Sequence, residues 1–455
     1  MILTQEHVRK GLKTPIVALL IFFFSAGILL FFRKDIEGKS FFMMIGITIS
    51  YYSYINLNNN FLKQISKGIL IGLFAILFVL LVGQTFLGAK SNDEFDFMCF
   101  YMQGQLGVHH LNFYDPNSFS ILLHSINYHF TFSETFKSEI LDVGLLSPPI
   151  TMLFFAPLAS VDYHTSKVIL ALLTFIFIIA NTILANVVFV KKGRSIYSFF
   201  LIFIIIMLIP GTQSTIGFNQ TNFFLLFFLI LTIHKINKPI SGFYLALSLI
   251  IKPISGILIL FFIIHKKWKQ VAYFIATGAI LLFITGFIWG FQNIFGFIQS
   301  PPTLRLPKEL YVQHINQSLI GVLNRNLQFY GLASNVINML YDGAAIILLL
   351  GTCISSKRLN KVNSYLAFFP FILFMLIVYP SSLTHYMVYL IPIIIYFLFL
   401  KFYPKYVLIV LLISLSFAVT DVFFTYIILW SALLCISVSF PTLMRFQRVS
   451  NVNEI

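Results

Sequence analysis

GILIGLFAILFVLLVGQTFLG, residues 68–88, carries no charged side chain and is long enough as a helix to cross the ~30 Å hydrocarbon core of a bilayer. Directly after it the chain reads AKSNDEFDFMCFY, residues 89–101, with Asp93, Glu94 and Asp96 within four positions. An apolar span that opens onto a group of carboxylates sets the reading of the whole chain. Apolar runs of roughly 17–25 residues recur from end to end, each a candidate span. Hydrophobic residues make up 59% of the 455, charged residues only 10%, and mean hydropathy is +0.92; a soluble domain is about a quarter charged. The expected fold is all-α, a polytopic transmembrane helical bundle of about 12 spans with a large first external loop.

Spans are expected at about 14–32, 41–57, 68–88, 167–190, 195–212, 217–234, 270–290, 333–354, 363–380, 386–400, 406–420 and 422–440. With Arg9, Lys10 and Lys13 cytoplasmic, six basic clusters fall on that same side. These are Lys191/Lys192/Arg194, Lys235/Lys238, Lys266/Lys267/Lys269, Lys357/Arg358/Lys361, Lys401/Lys405 and Arg445/Arg448. This scheme puts 20 of the 30 Lys and Arg inside and 9 outside, which follows the positive-inside rule. Arg33, Lys34 and Lys39 fit it worst.

Two apolar pieces do not read as simple crossings. Residues 148–161 open on Pro-Pro, and residues 239–264 are interrupted by Lys252-Pro253. Both read as re-entrant or broken helices, tolerated at membrane depth only where they are buried in protein or line a cavity. The first helix lacks a clear small-residue cleavage site and is kept as a span. The chain then divides into an accessory N-terminal hairpin (1–66), a membrane unit (67–440) with external loops 89–147 and 291–332, and a cytoplasmic tail (441–455). The expected location is the inner (cytoplasmic) membrane, with both termini cytoplasmic and the acidic loop on the external, periplasmic side. The net charge of +15 resides mostly in the short loops, a topology signal rather than a nucleic-acid surface. Cys99, Cys353 and Cys435 lie far apart with no zinc spacing or redox pair.

The polar residues of the membrane unit gather into short motifs. Seven of the fifteen acidic residues lie in 89–147. Asp96 is followed by Tyr101 and by NFYDP (112–116), then by LLSPP ending at Pro149. GFNQTN (217–222) opens a span, and GFYLALSLIIKP (242–253) puts Lys252 at membrane depth. NQSLIGVLNR (316–325) and SSLTHY (381–386) lie at external helix ends. An intramembrane lysine is costly unless paired or wet, so it is a functional candidate by default. Its natural partner is an anionic headgroup, with Arg325 and His385 as further donors in the same cavity: a phosphate would meet a point charge from lysine and a donor fork from arginine. Plainer roles also suit several of these groups. Asn219-Gln220 and Asn316-Gln317 suit helix caps, and Asp93 and Glu94 suit a solvated loop. His109, His110, His124 and His129 match no metal-ligand spacing.

The ordered set D-F-x-x-x-Y, N-x-Y-D-P, P-P…P-L-A, G-x-N-Q-x-N, G-x-x-x-A-x-x-x-x-K-P, N-Q-S-L-x-G…R and S-x-T-H-Y resembles the bacterial polyprenyl-phosphate-mannose-dependent mannosyltransferases. These are multi-spanning glycosyltransferases of the GT-C superfamily. The resemblance covers roughly residues 85–400. The family's usual Tyr-Pro-Pro is Ser147-Pro148-Pro149 here, and its Gly-Gln-x-Asn is Gly217-Phe218-Asn219-Gln220.

The resemblance implies a GT-C type bundle and Asp96 as catalytic base. It implies that His385 contacts the donor phosphate and that Lys252 and Arg325 line the same cavity. Asp93, Glu94, Tyr101, Asn219, Gln220, Asn316 and Gln317 are the expected substrate-binding positions. The implied partners are a polyprenyl-phosphate sugar donor, a glycolipid or lipid-linked glycan acceptor, and membrane lipids. A sugar on a lipid phosphate already has a good leaving group, so the carboxyl pair of glycosidases is unnecessary. One carboxylate against the acceptor hydroxyl suffices for inversion. No cofactor is expected; Glu94 and Asp96 could hold a divalent metal, but a second external acidic motif is missing. Two other readings stand beside this one. An O-antigen polymerase or ligase would rest on external arginines, here scarce (Arg33, Arg305, Arg325). A lipid or solute transporter would use Lys252 as a coupling site but leaves the long acidic loop unexplained.

Overall fold

The computed structural model describes residues 60–88, 95–115, 117–118, 121–122, 147–190, 194–299, 316–328, 331–399, 423 and 426–437. Asp93 and Glu94, the expected hairpin at 1–66 up to residue 59, the expected span 406–420 and the tail 441–455 lie outside these residues. The described chain is helical, with one isolated antiparallel bridge between Asn316 and Leu383. In chain order the helices begin with α1 (Asn60–Gly88), α2 (Phe95–Val108), α3 (Met152–Ala159, entered by a 3-10 turn at Pro149–Thr151) and α4 (Tyr163–Phe189). Next come α5 (Ile196–Leu208), α6 (Pro210–Gly217), α7 (Asn222–His234), α8 (Ile240–Ser248) and α9 (Ile259–Ile264, entered by a 3-10 stretch at Pro253–Leu258). The rest are α10 (Trp268–Trp289), α11 (Phe291–Gln299), α12 (Leu319–Leu327), α13 (Ser334–Asn360), α14 (Ser364–Val378), α15 (Ile391–Phe399, after a 3-10 turn at Thr384–Leu390) and α16 (Tyr426–Ser437).

Among the described residues α1, α4, α10 and α13 are each long and apolar enough to cross a membrane, and α5 with α6 makes a fifth span if the bent pair is counted as one. Together with the shorter apolar helices they make this an all-α polytopic membrane protein. Burial sorts the helices into two layers. Every residue from Leu201 to Leu208 of α5 and from Leu366 to Ile377 of α14 is buried, as befits helices that are apolar on all sides. On α1, α10 and α13 large apolar side chains stay exposed, among them Val79, Phe287, Met339 and Ile347, and these form the lipid-facing layer. Polar caps start several helices: Asp162 accepts from the Thr165 amide (3.0 Å), Ser195 and Ser198 form a capping box, and Asn363 accepts from the Tyr365 amide (2.7 Å).

Three inner helices are broken rather than continuous. The run expected as one span at 195–212 bends by 68° between α5 and α6, because Ile209 is extended and Pro210 cannot donate to the preceding turn. The carbonyls released there are recaptured: Thr212 donates to Ile206 O and Gln213 Nε2 to Met207 O (3.1 Å). The next span starts at Asn222 instead of 217, since Gly217 ends α6 and 218–221 is the turn between α6 and α7. Residues 239–264, expected to be broken, form two short helical pieces with Lys252 at the break, its backbone extended before Pro253. The span expected at 386–400 begins as a 3-10 turn and becomes α-helical only at Ile391.

Outside the spans, α2 lies along α3, and the approach is close at Gly104. A Cβ there would stand 2.3 Å from Phe155 O and 2.5 Å from the Ala159 Cβ. Gln105 Nε2 ties the same two helices by donating to Ala159 O (2.6 Å) and to the Tyr101 hydroxyl (2.9 Å). A smaller apolar cluster (Met102, Leu106, Phe113, Met152, Trp289) anchors the far end of α2, where Trp289 Nε1 donates to Gly107 O (2.9 Å). Gly104→Val should therefore lower stability by about 1–3 kcal/mol through overpacking. Thermal unfolding of the detergent-solubilised protein checks this, with Gly83→Ala as the control expected to keep the wild-type midpoint, because nothing lies within 4 Å of its added Cβ.

Candidate active site

The three breaks meet at one place, and Asp96, Lys252 and His385 come together there, while Arg325 does not. Asp96 sits in the first turn of α2, where the helix N-terminus favours a carboxylate. Asn219, in the left-handed region at φ 46°, turns the chain between α6 and α7 and delivers Gln220. The Gln220 amide bridges two charges: Nε2 donates to Asp96 Oδ2 at 2.5 Å, and Oε1 accepts from Lys252 Nζ at 2.6 Å. A cation at one end and a carboxylate at the other leave the amide only one workable orientation.

Lys252, 8% exposed, also donates to Asn222 Oδ1 at 2.9 Å. Its ammonium lies 4.6 Å from the Tyr386 ring centroid and 5.9 Å from that of Phe100. The buried cation thus rests on two amide oxygens and two aromatic faces, the compensation such a group needs. Asn222 uses all its capacity. Its Oδ1 also accepts from the Tyr389 hydroxyl (2.8 Å), while its Nδ2 donates to Thr215 Oγ1 (3.0 Å) and to His385 O (3.4 Å). His385 is held from two further sides: Thr215 Oγ1 donates to its carbonyl (3.4 Å), and Gly211 packs so closely that a Cβ would meet that carbonyl at 3.1 Å. Its ring is buried against Tyr386, and Nε2 has no hydrogen-bond partner.

Burial raises the Asp96 pKa above the ordinary carboxylate value, against the opposing pull of the Gln220 hydrogen bond and the Lys252 charge. Among the described residues no group of three or more His, Cys, Asp or Glu gathers within reach of a single metal ion.

A family model for glycosyltransferase family 87 matches residues 146–380, just over half of the chain. The chain belongs to glycosyltransferase family 87. It is a membrane glycosyltransferase. The matched stretch of this family 87 enzyme carries Gln220, Asn222, Lys252 and Arg325, with Asp96 before it and His385 and Tyr389 after it. No curated protein and no solved structure matches the chain.

The other expected site residues occupy different surroundings in the family 87 enzyme. Tyr101 reaches the turn between α3 and α4, its hydroxyl donating to Val161 O (2.9 Å) and its ring packing edge-on against Tyr163. Asn316 and Gln317 form a junction with the segment that leads into His385. Asn316 Nδ2 donates to Pro380 O (3.0 Å), the Gln317 amide donates to Ser382 O (2.6 Å), and Gln317 Oε1 accepts from the Phe423 amide (3.0 Å). Arg325 Nη1 donates to the Asn316 carbonyl at 2.5 Å and so braces this junction. Asn222, Thr215, Tyr386 and Tyr389 also belong to the site: Asn222 and Tyr386 lie in the GFNQTN and SSLTHY motifs without being expected there as site residues, and Thr215 and Tyr389 lie outside every motif. Asn222 closes the GFNQTN motif at the polar-to-apolar boundary, which is the one local signal for it.

Because Asn222 serves four partners, Asn222→Leu takes one acceptor from Lys252, the acceptor from the Tyr389 hydroxyl, and the donor from Thr215 and the His385 carbonyl. A loss of about 2–4 kcal/mol is expected, read as a lower thermal midpoint. Asn222→Asp keeps the acceptor for Lys252 and Tyr389 and should lose less.

Proposed function

We propose that the enzyme moves a sugar from a polyprenyl-phosphate donor to a glycolipid or lipid-linked glycan acceptor, with inversion at the anomeric carbon. Mannose is the donor sugar that the motif resemblance favours. The observation that carries the reading is the Asp96–Gln220–Lys252 chain: a carboxylate with base character stands one amide away from a buried cation.

The division of labour follows from charge. The donor presents a phosphodiester, so the cation side takes the phosphate, with Lys252 as the point charge and the unpartnered Nε2 of His385 as a further group facing it. Asp96 takes the proton from the acceptor hydroxyl as its oxygen attacks the anomeric carbon. The carbon–oxygen bond to the phosphate breaks, and lipid phosphate departs with the electron pair. A positioned base of this kind contributes about 10²–10⁴-fold. Arg325, Asn316 and Gln317 act here by holding the segment that carries His385. In this reading the site lies on the external face of the cytoplasmic membrane, where a flipped lipid-linked donor is available, and the reaction needs no metal.

The transferase reading is favoured over a transporter because α2 is packed on α3 through Gly104 and Gln105, and its carboxylate is joined to Lys252 through Gln220 rather than left on a loop outside the site.

Transfer of labelled sugar from polyprenyl-phosphate mannose to membrane glycolipids tests the proposal. Wild type should transfer, and Asp96→Asn should lose at least about 100-fold at equal expression; full activity in Asp96→Asn would exclude it as the base. The pH profile follows from the raised Asp96 pKa. Activity needs the ionised form and is lost as pH falls through that pKa, so the acid limb of kcat/KM should lie above pH 3.8, the ordinary aspartate value. Chelation should leave the rate unchanged; abolition with rescue by Mg²⁺ or Mn²⁺ would make the mechanism metal-dependent. Cysteines introduced at Lys192 and Lys267 should resist an impermeant thiol reagent added from outside.

A further inference from the structure

Gln220 was expected to bind substrate, yet both ends of its amide are occupied by the enzyme's own charges. We propose that Gln220 couples donor capture to base activation: a lipid phosphate that pairs with Lys252 takes over the ammonium contact now made by Gln220 and thereby releases Asp96 from its amide clamp. The inference rests on the reading of Lys252 as the phosphate cation and of Asp96 as the base.

Two acceptors share the Lys252 ammonium, and a phosphate would compete with both. An ionised phosphate oxygen is a stronger acceptor for an ammonium than a neutral amide oxygen, because charge attraction adds to the hydrogen bond. The Asn222 contact is locked by Tyr389, Thr215 and the His385 carbonyl, all on buried elements. The Gln220 contact has no such lock, because the other end of the amide depends only on Asp96. Gln220 is therefore the acceptor that yields.

Two consequences follow at Asp96, both in the same direction. The carboxylate loses a donor to its charged form, and the Lys252 charge that favours ionisation is neutralised by phosphate. Asp96 becomes the stronger base only after the donor is seated, so proton abstraction from the acceptor waits for the sugar to be in place. The groups around Asp96 are few. Its own helix carries no other charge, and α3 has none. The start of α4 bears Asp162, Tyr163, His164 and Lys167, while Lys252 and Tyr386 are coupled to Asp96 electrostatically.

The test reads the protonation of Asp96 directly. The full-length protein in lipid nanodiscs is treated with a carbodiimide, which modifies the protonated carboxyl, across a pH series, and labelling at Asp96 is followed by mass spectrometry. Adding undecaprenyl phosphate should move the wild-type midpoint up by about one pH unit or more, the size expected for loss of a nearby opposite charge. Gln220→Met, which cannot clamp the carboxylate, should start nearer the high midpoint and move less. Lys252→Met should show no response to the lipid. Inorganic phosphate at equal concentration separates the headgroup from the chain as the trigger, and a shift with either supports the coupling. An unchanged wild-type midpoint with both probes would overturn it, as would a shift of the same size in Lys252→Met. Sugar transfer by Asp96→Asn is measured alongside: a shift in the midpoint with transfer retained would keep the relay and reject Asp96 as base. A merely structural Gln220 would lower labelling or yield without moving the midpoint.

Discussion

The buried ammonium of Lys252 is the constraint on which the centre of this molecule depends. A lysine at that depth costs several kcal/mol unless neighbours replace the water it has lost. Two amide oxygens and two aromatic rings do so here, and they come from α2, the α6–α7 turn, α7 and the 3-10 turn before α15. To bring those groups to one point, three inner helices must each be broken there. Each break exposes backbone groups that need partners: Thr212 and Gln213 supply them after α5, Thr215 and Asn222 at His385, and Ser248 and Ser255 beside Lys252. The polar side chains of the bundle thus split into those that hold the cation and those that repair the backbone around it.

Aspartate and lysine meet through an amide rather than as a direct pair. A direct buried pair would lock the charges together and leave neither for substrate. With Gln220 between them, each charge keeps an amide partner instead of the other charge; in the proposed function this leaves Asp96 as base and Lys252 with a contact that a phosphate would replace. Burial with partial compensation is a general means of tuning a base toward its working range.

Much of this was legible in the sequence, and the limits have physical causes. Composition and the runs at 68–88, 167–190 and 270–290 give the membrane class because a span is a long, uniform apolar signal. Lys252-Pro253 marks its break because proline removes a backbone donor and disfavours helix at the residue before it, and an intramembrane charge is costly. The break at Ile209-Pro210 was read through as continuous, since the flanking residues are apolar on both sides and hydropathy carries no angle. The turn at 384–390 was hidden for the same reason. Asp96, Gln220 and Lys252 stood out as polar groups at apolar boundaries. Asn222 and Tyr389 did not, because their importance lies in partners more than 160 positions apart. The sequence points to Arg325 as a cavity residue and to Asn316 and Gln317 as substrate-binding or capping positions, and the structure adds hydrogen bonds from all three that tie one segment to another. Those bonds depend on tertiary contacts that no local pattern encodes.

The measurement that bears most directly on this account is an experimental structure of the full-length protein in lipid with undecaprenyl phosphate bound. The account predicts phosphate density within hydrogen-bonding distance of Lys252 Nζ, near His385 Nε2, with the Gln220 amide withdrawn from the ammonium. Phosphate seated elsewhere, with Lys252 still held by Gln220 and Asn222, would contradict it.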